Sequence, residues 1–575
     1  MKCITKVSYI LRVWSRIIAR YQKDLRNEMA TTVRSALESV DEWSDEKLVG
    51  QLFCVASGRH AAQNVMGFGS ADGASAEELH AELRDMIDQY KLGAVIYFPP
   101  GGDHEPVENI RTTMLDLQTA ADVPLLISTD QENGTVARVR VGAVHMPGAM
   151  ALVATGDRDL CAEVGRVTAE QLRAVGIHQN LAPVADVMMV ADNPGVNIRT
   201  TGSDPRVSAE YVSTFVKAQG ANGLASTLKH FPGYGSARVD AHFDLPSIPV
   251  SREEWDRTER IPFEAAIRSG AEAVMLGHVI FPALDPDNAA TFSKPIVQGV
   301  LREDLGFDGV IVTDAMDMGG AARPEGPAEA CVSALLAGVD QILMPSDLHS
   351  AYAAVLDALR NGRLDRERLC ESARRILRLK LKVGLDDSDI PGLDVFSSER
   401  HKEIAERVAR ESLTVRDAEV FSPLEQSGSV LIAHPGIDPQ KRGVNPGEVL
   451  KGMLEGAGHD VREVLWGGSE AEGGPWSNPD LNVSQAVLIL RDAWKDGVDV
   501  AGVIDGLVGA GISVTVVAIR SPHDGVAVPS GVPLLYTYGD NGSAVRAAGR
   551  VLVGDEVPTG RCPMPVPSTG SRTQS

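Results

Sequence analysis

From about residue 46 onward, apolar residues follow two alternating rhythms. Short continuous runs rich in Val, Ile and Leu give way to longer stretches whose apolar positions fall three or four apart. The continuous runs suit strands buried on both faces, and the spaced stretches suit helices that cover them. Eight runs predict strands at 52–56, 93–98, 124–130, 180–187, 225–231, 273–281, 309–314 and 340–344. Helical spacing between them covers 76–90, 159–174, 209–221 and 253–269. Eight strand-then-helix units in succession predict an α/β fold built on a closed parallel (β/α)8 barrel of TIM type rather than an open sheet.

An acidic stretch with Pro391 and Gly392 interrupts the pattern at 384–392, as a linker would. Beyond it, apolar runs at 429–434, 486–490, 513–519 and 532–538, with helical stretches at 447–456 and 543–553, predict a smaller α/β sandwich. The expected organisation is a basic extension and lead-in at 1–45, a barrel at 46–385, a linker at 386–400, a second domain at 401–567 and a disordered tail at 568–575. The second domain carries no phosphate-binding glycine fingerprint and no dense acid/base cluster.

In such a barrel the chemistry gathers at the C-terminal ends of the strands. Here those ends carry Asp130-Gln131-Glu132, Asp186, Lys229-His230, His278 and Asp314. One strand-end Asp is readily explained as the cap of the next helix. Lys and His do not cap helix N-termini, so the collection as a whole points to a polar pocket on one rim. A loop follows Lys229-His230 through Phe231-Pro232-Gly233-Tyr234-Gly235 to Asp240-Ala241-His242. A carboxylate two residues before a histidine, facing a second carboxylate at another strand end, is a set able to cleave a glycosidic bond with retention.

Charge and composition narrow the partners. The formal net charge of -23 repels phosphate backbones and anionic membrane surfaces, which argues against nucleic acid. Six widely spaced cysteines form no metal-ligand pair and suit a reducing, cytoplasmic setting; no metal and no cofactor are expected. No apolar run approaches the roughly 18 residues of a membrane-spanning helix. Residues 1–28 are a basic exception, with Lys2, Lys6, Arg12, Arg16, Arg20, Lys23 and Arg26 against Asp24 and Glu28. Charges interrupt any signal-peptide core there, so this segment is read as a dispensable extension ahead of Met29.

The ordered segments Asp130 to Arg138, Asn180 to Val187, Asn193 to Pro205, Lys229 to His242, Gly306 to Asp314 and Gly560 to Pro567 resemble those of family 3 glycoside hydrolases, in the β-N-acetylglucosaminidase branch. The resemblance spans residue 46 to about 567. It implies that Asp314 is the nucleophile forming a glycosyl-enzyme, that His242 is the acid/base, and that Asp240 supports its imidazole. It also implies that Asp130, Arg138, Arg199, Lys229 and His230 bind the sugar, with His278 helping to line the pocket. The substrate would be an oligosaccharide or glycoconjugate ending in β-linked N-acetylglucosamine. The aglycone and the oligomeric state stay open.

Four positions depart from the family pattern. Asn133 stands for a glycine, Thr135 for an arginine, Tyr234 for His or Leu, and Ala241 for Ser or Thr. The first two leave substrate detail open. The last removes a hydroxyl from the segment between Asp240 and His242, so that loop is expected to be looser. Three other readings remain at this point: a phosphorylase using phosphate in place of water, a β-glucosidase or β-xylosidase, and a sugar-binding protein without catalysis.

Overall fold

The computed structural model describes residues 32–58, 75–100, 105–190, 193–385, 391–426, 428–435, 444–466, 482–496 and 498–565. The basic segment at 1–28, Cys3, the linker residues 386–390 and the tail at 568–575 lie outside the described residues.

Eight short strands make one parallel sheet: β1 (Phe53–Ala56), β2 (Ala94–Ile96), β3 (Leu126–Thr129), β4 (Gln179–Asn180), β5 (Ala225–Phe231), β6 (Ala273–Leu276), β7 (Val310–Thr313) and β8 (Ile342–Leu343). Their order is β7-β6-β5-β4-β3-β2-β1-β8, so β1 and β8 pair. A parallel bridge from Val312 to Gln341 joins the two remaining edges and closes the TIM-type barrel. Every residue of β1, β3, β5, β6 and β7 is buried, one face in the barrel interior and the other beneath helices. Burial on both sides is why these segments read as continuous apolar runs. Local capping fixes where the covering helices begin. Ser75 and Glu78 form a reciprocal capping box for Ala76–Tyr90, and Asp204 caps Pro205–Ala221 with proline in its first turn.

Two expected elements differ. The run at 180–187 forms a regular strand only at Gln179–Asn180, because Pro183 has no N–H to donate to a ladder. The chain nevertheless stays beside β5, through Thr227 N to Ala182 O at 3.0 Å and Ala185 N to Lys229 O at 2.7 Å. The helix expected at 253–269 is two helices, Arg252–Arg257 and Arg260–Arg268. The break at Thr258 turns Glu259 inward to accept from Ser236 Oγ at 2.8 Å. Glu259 then packs under Gly233, whose φ of +133° and lack of Cβ the turn after β5 requires.

The second sheet has six strands: β9 (Thr414–Arg416), β10 (Ser429–Pro435), β11 (Asp460–Trp466), β12 (Gln485–Leu490), β13 (Ser513–Ala518) and β14 (Leu534–Tyr536). The order is β11-β10-β12-β13-β14-β9, parallel except for β9. The two edge strands have no counterpart among the expected runs. β9 is only three residues long, and β11 carries Asp460, Arg462 and Glu463, as solvent-facing edges do.

One apolar cluster spans both sheets' territory. Met150, Val164, Val167, Tyr211 and Phe215 from barrel helices share it with Leu431, Leu488 and Val516 of the second sheet. Ile404 and Val408, on the helix Glu399–Ser412, sit in the same cluster. Backbone bonds add to the join, from Arg561 N to Ala154 O at 2.9 Å and from Ser203 N to Pro563 O at 3.2 Å.

Candidate active site

The strand ends converge as barrel geometry requires. At the end of β5, Lys229 is 3% exposed, and its Nζ lies 2.8 Å from Asp130 Oδ1 and 2.6 Å from Glu132 Oε1. Arg199 grips Glu132 in a fork, with Nε and Nη2 each 2.8 Å from one carboxylate oxygen. Arg138 Nη2 stands 3.8 Å from Asp130 Oδ2, and its guanidinium lies 4.8 Å over the Phe98 ring. Burial opposes charge on Glu132, but Arg199 and Lys229 outweigh it and hold the carboxyl far below the usual range. For Lys229, burial is likewise outweighed, by Asp130 and Glu132, so its proton is held more tightly. Glu132 and Lys229 are therefore each held in the charged form by their partners, which fixes their donors and acceptors in place.

Beside it opens a pocket lined by Arg199, His230, Tyr234, Asp240, His242 and Asp314, with Gly195 and His278 also at its wall. Asp314 follows β7. Its amide donates to Leu276 O at 3.1 Å, and its Oδ1 accepts from Ala315 N at 2.8 Å. Burial pushes its pKa upward, yet His230, His278, the Ala315 N–H and Lys229 together bring it below the ordinary 3.8. Asp314 is thus a carboxylate, partly exposed at the pocket floor. His230 donates from Nδ1 to Asp186 Oδ2 at 2.8 Å, which leaves Nε2 as its free ring nitrogen. Burial lowers the pKa of His278, whose Nε2 donates to Ala315 O at 3.0 Å.

The loop after β5 brings the second titratable pair. His242 donates from Nδ1 to Asp240 Oδ1 at 2.7 Å, and its amide donates to the same oxygen at 3.0 Å. Burial raises the Asp240 pKa, but these donors outweigh it and lower it overall. The imidazole itself is exposed, with Nε2 free to carry a proton. The loop rests on backbone donors beyond β7: Gly319 N to His242 O at 3.2 Å and Gly320 N to Ala241 O at 2.9 Å. An ionised carboxylate on the floor and a carboxylate-backed imidazole on the overlying loop can deliver a nucleophile and a proton to one bond.

All eight expected residues meet in this region. Asp314, His242, Asp240, Arg199 and His230 line the pocket, and Asp130, Arg138 and Lys229 form the ion network that Arg199 joins. Three further residues help build it. Glu132 and Asp186 stood at strand ends without an assigned part, and Tyr234 stood only as a departure from the family pattern. Their partners lie at long sequence separations, which local spacing does not reveal.

The family model described as "Glycosyl hydrolase family 3 N terminal domain" matches residues 45–379. The chain belongs to glycoside hydrolase family 3. A relative, the beta-N-acetylglucosaminidase/beta-glucosidase of Cellulomonas fimi, is 30% identical over 465 residues, covering 75% of this chain and 81% of the relative. The solved family 3 beta-N-acetylglucosaminidase from Paenibacillus sp. str. FPU-7 superposes with a TM-score of 0.79 at 31% identity, over 91% of this chain and 99% of that one. A beta-glucoside phosphorylase superposes at 0.78 with 25% identity, over 94% of this chain and 97% of that one. Among the described residues, no three or more His, Cys, Asp or Glu side chains are grouped to hold a metal ion. No helix among them is long and apolar enough to cross a membrane.

Proposed function

We propose that this chain is a retaining, exo-acting β-N-acetylhexosaminidase that removes terminal β-linked N-acetylglucosamine from an oligosaccharide or glycoconjugate. The observation that carries this reading is the pairing of ionised Asp314 with the Asp240–His242 couple around one pocket. The solved Paenibacillus β-N-acetylglucosaminidase supports the same substrate, and the Cellulomonas fimi relative is named for that activity together with β-glucosidase.

In the first step an Asp314 carboxylate oxygen bonds to the anomeric carbon as the bond to the leaving oxygen breaks. His242 Nε2 transfers its proton to that oxygen, so the aglycone leaves neutral. Asp240 stabilises the protonated imidazole and holds its ring. In the second step His242 takes a proton from water, which attacks the anomeric carbon and releases Asp314. Two displacements return the β configuration. Asp130, Arg138, Arg199, Lys229 and His230 bind the sugar's hydroxyls and acetamido group. The reading keeps the reducing, cytoplasmic setting, consistent with the free thiols of Cys54, Cys161, Cys331, Cys370 and Cys562.

The test compares aryl N-acetylglucosaminide with aryl glucoside, each with and without inorganic phosphate. Phosphate-independent hydrolysis favouring the N-acetylated substrate is expected. A requirement for phosphate, with sugar phosphate as product, would favour phosphorolysis, the activity named for one structural neighbour. His242→Ala should slow substrates with poor leaving groups far more than activated aryl glycosides, because an activated phenolate departs without protonation.

A further inference from the structure

Tyr234 occupies a position where the family pattern has His or Leu, and its hydroxyl holds the loop that carries Asp240 and His242. The hydroxyl donates to Val239 O at 2.6 Å and accepts from Ala241 N at 2.7 Å. These two backbone groups flank Asp240 on either side. The tyrosine is itself held: its amide donates to Asp186 Oδ1 at 2.7 Å, and its carbonyl accepts from Asn193 Nδ2 at 2.8 Å. Asp186 also binds His230, so one buried carboxylate anchors both the sugar-facing histidine and the tyrosine. The ring lies against Gly195, where an added Cβ would stand 2.7 Å from Tyr234 Cε1.

We propose that Tyr234 is the positioning residue of the acid/base loop, its hydroxyl bridging residues 239 and 241 so that Asp240 presents His242 to the leaving group. This rests on the assignment of His242 as acid/base. The bridge takes over the steadying task for which Ala241 lacks a hydroxyl. The Gly319 and Gly320 amides support the loop from the β7 side, and Tyr234 supports it from the β5 side. A phenylalanine would keep the ring on Gly195 and the bond to Asp186, and would lose only the bridge.

A bridge that positions an acid/base group has a kinetic signature distinct from general destabilisation. Tyr234→Phe should lower kcat/KM at least about tenfold on a substrate with a poor leaving group, and far less on a dinitrophenyl N-acetylglucosaminide. On the dinitrophenyl substrate kcat should still fall, since water attack needs the base, and azide should restore it. Equal losses on both substrates, or no loss on either, would overturn the proposal. His242→Ala in the same panel separates two failures. A leaving-group-dependent loss in His242→Ala that is missing in Tyr234→Phe removes the positioning role alone. A uniform loss in His242→Ala removes the acid/base assignment, and the proposal with it. If Tyr234→Phe yields only aggregate, residue-resolved hydrogen exchange on the wild-type chain decides: a protected Ala241 amide supports the bridge, and exchange at the rate of a free peptide overturns it.

Discussion

At the scale of single residues, charge in this site is set by neighbours as much as by burial. Desolvation alone would raise the pKa of Asp314 and Glu132, yet both end below their ordinary values because cations and N–H donors surround them. Asp314 therefore stays ionised as pH falls to its usual 3.8, and its contribution to activity should be lost only below that value. The acid limb of kcat/KM on an activated substrate reads this directly, provided the fold persists there. Asp314→Asn keeps the size and removes the charge. It should cost about a thousandfold or more in turnover with the fold intact, as loss of a nucleophile does. Near-wild-type activity in that variant, with circular dichroism unchanged, would end the nucleophile assignment.

At the scale of elements, the helix Arg366–Lys382 carries an unusual burden. Lys380 is fully buried, and its Nζ donates to Gln51 Oε1 at 3.1 Å. Burial, with a smaller push from Lys47, brings its pKa from 10.5 down to about 7. Between those two values the unfolded chain binds a proton that the folded chain does not, so stability should rise with pH across that window. Lys380→Met should raise the melting temperature near pH 7 and flatten its rise toward pH 9. The gain is limited to roughly 1–3 kcal/mol, because Gln51 loses its donor. Melts of both proteins across the window check this, and parallel curves would show that Lys380 does not set the slope.

At the scale of the whole molecule, barrel and second sheet are joined by one apolar cluster rather than by a thin polar seam. Joint unfolding follows, since neither part can expose Phe215 or Leu431 without disturbing the other. Ile404, a member of that cluster and 8% exposed, tests this. Ile404→Ala should cost about 2–4 kcal/mol and lower a single transition common to far-UV circular dichroism and tryptophan fluorescence. Two separated transitions would show that the barrel folds without its neighbour. The proposed catalytic groups Asp314, His242 and Asp240 all lie within the barrel, but a barrel fragment ending near residue 385 should aggregate through the exposed face.

Local pattern in the chain was enough to find all eight barrel strands, because strands buried on both faces leave uninterrupted apolar runs. It was also enough for Ala76–Tyr90, whose cap and helical spacing lie within the same stretch. As candidates, Asp130, Lys229, His230 and Asp314 were legible at strand ends and Asp240 and His242 in the loop that follows one of them, while Arg138 and Arg199 rested on the resemblance to family 3 segments. What the tertiary structure alone decided concerns partners far apart in sequence. The pairing of Glu132 with Arg199 and Lys229, the grip of Asp186 on His230 and Tyr234, and the hydrophobic join between the two sheets all depend on chain crossings. The inward turn of Glu259 belongs there too, since Ser236 and Gly233 on another segment receive it, whereas the early end of β4 follows from Pro183 within the run itself. Periodicity records which face of an element is buried; it carries no record of what that face will meet.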